Sequence, residues 1–182
     1  MDQQSKRTLH IAQGAVIAAA YTVLTWLAAL LDLAYGPVQF RFSEALTILP
    51  IFTTAAVPGL TIGCLLSNIL SGYGIYDMIF GTLATLLATL VSRLVRNVKI
   101  RGIPVLAPLP PILFNAFIVG LEITILNGAK ISPECFTNFN WVLYWTNAGS
   151  VGLGELVICY GLGLPLAVLI ERNQKLKRII AE

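Results

Sequence analysis

The sequence predicts an all-α membrane protein, a compact bundle of six transmembrane helices with both termini on the cytoplasmic side. Three observations carry that expectation. Hydrophobic residues make up 57% of the 182-residue chain and charged ones only 12%, with a mean hydropathy of +0.80, whereas a soluble domain carries about 25% charge. The apolar residues fall into runs near the roughly 20 residues that cross a bilayer as a helix. The basic residues gather in a few loops between those runs. At about 20 residues per span the chain has room for six spans and for no separate soluble domain, so residues 1–182 are expected to form a single integral membrane domain.

The first span is expected at about 9–33, where no charge occurs before Asp32. Its apolar core is too long for a signal peptide. Gly14, Ala18 and Thr22 recur every four residues along it, as do Ala15 and Ala19. Small residues at that spacing let a second helix approach closely in lipid. After a loop from Asp32 to Arg41 containing Gly36-Pro37, the stretch from Phe40 to Gly72 is too long for one span and too short for two. Two short helices interrupted by Pro and Gly are expected there, at about 43–56 and 58–71. Broken helices at membrane depth are tolerated where they line a cavity or are buried in protein, so they point to a binding site.

A fourth span is expected at about 75–92, with Asp77 in its first turn, where an acidic residue also complements the helix dipole. Arg93, Arg96, Lys99 and Arg101 follow as the densest basic loop. A fifth span at about 103–126 begins in or after Pro104, Pro108, Pro110 and Pro111, which should kink or delay it. The connection from Asn127 to Asn140 holds Lys130, Pro133, Glu134 and Cys135. The last span, about 141–170, opens on Trp141, Tyr144 and Trp145, as interfacial aromatic belts do.

With both termini inside, Lys6, Arg7, Arg93, Arg96, Lys99, Arg101, Arg172, Lys175, Lys177 and Arg178 are cytoplasmic and only Arg41 and Lys130 are outside, ten against two of the 12 basic residues. The positive-inside rule favours this orientation. The same distribution argues against nucleic acid, because the basic loops sit where anionic lipid would meet them. Three cysteines without CxxC spacing give no disulfide framework, and a lone histidine, His10, supports neither a metal site nor a Ser-His hydrolase. No phosphate-cradling Gly-rich Lys-Ser/Thr loop occurs, so the chain should not hydrolyse ATP itself. A binder or carrier is expected, and not an enzyme.

Ionisable groups within spans are costly and usually face the bundle interior. Glu155, after Gly149, Gly152 and Gly154, is the leading candidate for binding a ligand. Asn115 lies in the fifth span with Glu122 seven residues later on nearly the same face. Arg41, Glu44, Asp77, Glu122, Asn147 and the Trp141, Tyr144, Trp145 group fall toward the outer half, with Glu155 and Asn115 deeper. A pocket open to the outside, suited to a flat, hydrogen-bonding ligand, is the expectation. The structural alternatives are that Asn115 bonds between helices and that Arg41 pairs with Glu44 or Asp32.

Three motifs carry a family resemblance: Phe40-Arg-Phe-Ser-Glu44-Ala-Leu-Thr-Ile-Leu-Pro50, Ala107-Pro-Leu-Pro-Pro-Ile-Leu-Phe-Asn115-Ala, and Val151-Gly-Leu-Gly-Glu155-Leu. In order and spacing they resemble the QueT family, substrate-binding S components of energy-coupling factor transporters, over about Leu9 to Glu171. The resemblance implies a bacterial multi-pass membrane protein that captures a queuosine precursor, a deazaguanine-type base, from outside the cell. It also implies a transmembrane coupling subunit and two ATPases as partners; ATP would be used by them, with no cofactor in this chain. Small residues of the first helix would contact the coupling subunit, with Ala15 and Ala19 as candidates and Gly14 and Ala18 on the adjoining stripe. An S component for another vitamin-like molecule, a stand-alone secondary transporter and a ligand-free assembly subunit are the competing readings.

Overall fold

The computed structural model describes residues 2–35, 38–126 and 139–180, and the expected Gly36-Pro37 turn and the connection with Lys130, Pro133, Glu134 and Cys135 lie outside them. Among the described residues the chain is helical. In order, α1 is Gln3–Leu30, a 3₁₀ segment is Phe42–Ile51, and α2 is Ala56–Ser67, prolonged by a 3₁₀ turn at Asn68–Leu70. Next come α3, Ile75–Leu94, and α4, Leu109–Ile125. The last long helix, α5, runs Trp141–Arg172 with a π turn at Cys159–Gly163, and α6, Gln174–Ile180, follows.

Three of these are long and apolar enough to cross a membrane: α1 with 28 residues, α3 with its 3₁₀ extension to Asn97 with 23, and α5 with 32. The segments Phe42–Ile51, Ala56–Leu70 and Leu109–Ile125 are shorter apolar helices. Large apolar side chains such as Ile11, Val23, Ile79, Leu90, Leu153 and Leu169 stand exposed on the bundle's outside. An apolar surface of that extent belongs against lipid.

The interrupted region is broken as its composition predicts, but the first piece is wound more tightly than an α-helix. Ten residues of 3₁₀ helix are far beyond the usual three or four. In this winding, residues three apart eclipse, so Glu44, Thr47 and Pro50 form one ridge, and the Thr47 hydroxyl donates to the Glu44 carbonyl at 2.6 Å. Pro50, which cannot donate, lies one residue from the segment's end, and its carbonyl accepts from Arg93 at 3.0 Å.

The prolines before α4 delay the helix rather than kink it. Pro110 and Pro111 occupy its first positions, where a missing N–H costs nothing. The preceding residues are tied down by Ser92 Oγ donating to Ala107 O at 3.1 Å and Tyr160 Oη to Val105 O at 3.0 Å. The expected span over 103–126 therefore becomes a 17-residue helix. Gly74 enters α3 at φ +59°, a left-handed conformation that glycine adopts without a Cβ clash.

The small-residue stripe of α1 meets α2. A Cβ placed on Gly59 would stand 2.7 Å from the Gly14 carbonyl, and one on Gly63 2.8 Å from the Ala18 carbonyl. Gly59 and Gly63 are themselves four apart, so two small-residue stripes lie back to back. Thr22 Oγ1 adds a bond to Gly63 O at 3.2 Å. Around this seam Tyr21, Ile48, Leu49, Phe52, Leu60 and Ile170 form one buried cluster, and Ala84, Val119, Ile123 and Val151 form a second.

Candidate functional site

Two groups of buried polar side chains occupy the bundle interior. The deeper one joins four elements and includes Glu44, which the sequence reading puts nearer the outer half. Asn115 of α4 donates its amide to Glu155 Oε1 of α5 at 2.9 Å and, less closely, to Glu44 Oε2 of the 3₁₀ segment at 3.5 Å. The Tyr21 hydroxyl of α1 donates to Glu44 Oε1. Cys159 Sγ donates to Glu155 Oε2 at 3.5 Å, and it lies 3.9 Å from Thr47 Oγ1. All of these side chains are buried.

The local sequence accounts for this convergence. The π turn at Cys159–Gly163 carries one extra residue per turn, as at many functional sites. It follows Glu155 by one turn and places Cys159 over the Glu44 carbonyl at 3.7 Å. Gly154 admits the backbone of Gln39, whose carbonyl oxygen would stand 2.0 Å from any Cβ there. Gly152 faces the Ala116 methyl and Gly149 meets nothing within 4 Å. Close backbone approach is therefore the use to which Gly154 is put, one residue from the carboxylate.

The outer group centres on Arg41. Its Nε donates to the Ala34 carbonyl at 2.8 Å, its Nη1 to Asn68 Oδ1 at 3.3 Å and its Nη2 to Asp77 Oδ2 at 3.4 Å. The guanidinium carbon lies 5.1 Å from the centre of the Tyr35 ring, a cation–π distance. Tyr35 in turn donates to Ser67 O at 2.7 Å, and Asn68 Nδ2 donates to Asp77 O at 2.9 Å. Arg41 thus pairs with Asp77, neither with Glu44 nor with Asp32. Asn68 is a member of this group that sequence reasoning missed; an asparagine at the end of an apolar helix gave no cue beyond its polarity.

Glu122, 0% exposed, has Asp77 and Arg41 as its charged neighbours. Neither of its carboxylate oxygens has a hydrogen-bond partner among the described residues, and the same is true of Asp77 Oδ1. Asn147 lies in the seam between α4 and α5, where its amide donates to Thr124 Oγ1 at 3.1 Å. Gly120 is pressed against Ala148 in the same seam.

The aromatic residues stand apart. Trp141 and Trp145 are 65% and 58% exposed, and with Tyr144 and Phe139 they form a cluster of edge-to-face and tilted rings with centroids 4.8 to 6.2 Å apart. Ten residues of helix, about 15 Å along the axis, separate Trp145 from Glu155. Their position suits a membrane-surface belt, and the structure does not bring them to the carboxylates. The pocket expected to be open to the outside is closed: Glu155 and Asn115 are 3% and 5% exposed and bond to each other. Of the expected coupling residues, Gly14 and Ala18 are taken up by α2, while Ala15 and Ala19 are exposed.

A model of the QueT transporter family matches residues 11–172. The chain belongs to the QueT transporter family. All the polar residues of both groups fall inside the matched region. The chain is also similar to the queuosine precursor transporter QueT of Lactococcus lactis subsp. cremoris, 40% identical over 83 residues. That alignment covers 46% of this chain and 48% of the relative, so the chain matches about half the relative's length. No solved structure matches.

Proposed function

We propose that this chain is the substrate-binding S component of an energy-coupling factor importer, and that it captures a queuosine precursor of the deazaguanine type. The observation that carries the reading is the bridge made by Asn115 between Glu44 and Glu155, three side chains from three elements buried together. A guanine-like edge offers two adjacent N–H donors, which one carboxylate accepts together, and a carbonyl, which an amide N–H satisfies. Glu155 would accept the donors and Asn115, turning from its present partners, would meet the carbonyl. Tyr21 holds Glu44 in place from behind. Family membership supports transport, and the printed name of the Lactococcus relative supports the ligand class.

In this reading the chain crosses the membrane six times with both termini inside, the short Phe42–Ile51, Ala56–Leu70 and Leu109–Ile125 segments serving as spans together with the three long ones. The exposed Ala15 and Ala19 of α1 would face a transmembrane coupling subunit, and two ATPases would supply the energy. The bound base would then be carried from the outside of a bacterial cell inward. Binding of a deazaguanine to the purified protein tests the central claim. Glu155→Gln and Asn115→Ala should each weaken it by about tenfold or more, since charge-assisted hydrogen bonds contribute roughly 1.5–3 kcal/mol. Unchanged affinity in both variants would remove the base-recognition role, and mass spectrometry of the co-purified small molecule would supply the true ligand.

A further inference from the structure

We propose that a groove along the C-terminal part of α5 holds one anionic glycerophospholipid, with its phosphate on Arg172 and Lys175 and an acyl chain along the apolar wall that leads to them. The site lies on the outside of the bundle. It goes beyond the transport reading and does not depend on the ligand assigned to Glu155 and Asn115.

Leu164, Pro165, Val168, Leu169 and Arg172 of α5 line a groove of about 1130 Å³, and Tyr160, Ile103 and Lys175 help to complete it. The α5 members recur at intervals of three or four residues, so they form one face of the helix, while Ala167 and Ile170 on the other face are buried in the bundle. From Leu164 to Arg172 this stripe runs about 12 Å along the axis, apolar as far as Leu169 and cationic at its end. Pro165 and Leu169 are exposed, so the groove opens toward the surroundings of the bundle. Tyr160 gives its hydroxyl to the Val105 carbonyl at 3.0 Å, which leaves its ring to the wall. An open apolar groove of this size at the edge of a membrane protein suits a hydrocarbon chain.

The charges at the C-terminal end of the stripe select the occupant. Residues 99–103 and 171–178 together hold six basic side chains and one acid. That acid, Glu171, is shared by Lys99 and Lys177, so Arg172 and Lys175 have no carboxylate partner among the described residues. Both cations sit on anchored backbone. Asn173 Oδ1 accepts from the Lys175 and Leu176 N–H groups at 3.1 and 3.2 Å, and Leu176 and Ile180 of α6 pack against the core. The Lys99–Glu171 pair ties the preceding loop to the same end, where Ile100 and Ile103 exchange backbone hydrogen bonds at 2.9 and 3.0 Å. Arg101 and Gly102 between them have φ +52° and +81°, the geometry of a tight two-residue hairpin, and this turn carries Ile103 to the groove. A zwitterionic headgroup would bring a cation of its own to this end, and a small soluble anion would leave the apolar wall uncovered. A lipid with a net negative headgroup matches both parts: the guanidinium can engage two phosphate oxygens and the ammonium adds a point charge. Selection falls to the headgroup, because lipid tails are as apolar as the side chains they meet.

Native mass spectrometry of the purified full chain, delipidated in detergent and titrated with phosphatidylglycerol or phosphatidylcholine of identical chains, tests this. The wild type should bind phosphatidylglycerol about tenfold more tightly, since each basic residue near an anionic headgroup contributes roughly fivefold. Arg172→Gln combined with Lys175→Gln should bring the two lipids to within about threefold of each other. Lys6→Gln combined with Arg7→Gln, an equal loss of charge at the other end of the chain, should leave the preference as it was. Val168→Trp should fill the groove and weaken phosphatidylglycerol by about fivefold, and glycerophosphoglycerol, the same headgroup without chains, should not displace the lipid at about hundredfold excess. Equal affinity of the wild type for the two lipids overturns the site. So does a preference that survives the loss of Arg172 and Lys175, one that falls as far with Lys6 and Arg7, binding untouched by Val168→Trp, or displacement by the chainless headgroup. A wild type that binds neither lipid leaves the groove to a protein neighbour and overturns the site as well. The wild-type comparison needs no variant to fold.

Discussion

The two polar groups differ in how completely they are closed. In the deeper one, each carboxylate oxygen of Glu44 and Glu155 meets a donor on another element or another turn. In the outer one, each guanidinium nitrogen of Arg41 has a partner, while the Glu122 carboxylate has none among the described residues. A satisfied buried network holds elements together; an unsatisfied one stores a cost that a ligand can remove. The first group therefore has a structural duty in every member, whereas in the second that duty falls to Arg41 and not to the Glu122 carboxylate.

The sharpest way to break the contrast is Arg41→Ala. It strips the counter-charge from Asp77 and takes the guanidinium donors away from the Ala34 carbonyl and Asn68 Oδ1, so stability should fall by about 3–5 kcal/mol in detergent thermal melts. Next in size is Asn115→Leu, which leaves Glu44 and Glu155 facing each other without the amide between them; a loss of about 1–3 kcal/mol is expected by the same measurement. Gly81→Ala pushes a methyl group against Asn68 and Asp77 and should cost about 1–2 kcal/mol. Glu122→Gln is expected to leave the ligand-free protein as stable as before or up to about 1 kcal/mol more stable, because no bond is lost and a buried charge is removed. A clear loss of melting temperature in Glu122→Gln would show that this carboxylate has a structural partner after all. The smallest effect should come from Glu171→Gln, whose links to Lys99 and Lys177 lie near the surface; an exposed pair of this kind contributes about 0.2–1 kcal/mol.

Much of the framework was legible in the chain because it follows from run length and from proline. The interrupted stretch from Phe40 to Gly72 did resolve into two short helices, and Pro110 and Pro111 did postpone α4. The sequence also singled out Glu44, Asn115 and Glu155, since polar residues in apolar runs are few, and the fold brings them together. What it could not reveal was who meets whom. Gly14 and Ala18 carry the spacing for close packing, but spacing does not say whether the partner is another subunit or α2 of the same chain; Gly59 and Gly63, at matching spacing, were the available cue. For Arg41 the sequence offered Glu44 and Asp32 as partners, and the folded geometry selects Asp77 instead. The π turn at Cys159–Gly163 has no local signature in composition, so the approach of Cys159 to Glu44 and Glu155 was invisible.

The tight winding of Phe42–Ile51 also sets a length. Ten residues at 3₁₀ rise cover about 20 Å, whereas the same ten as an α-helix would cover about 15 Å. The segment thereby covers with ten residues a length for which an α-helix needs about 13, and a change of winding alone would shift the Arg41 end by about 5 Å relative to Pro50. Few other backbone changes move one end of a buried helix so far while leaving its sequence neighbours anchored.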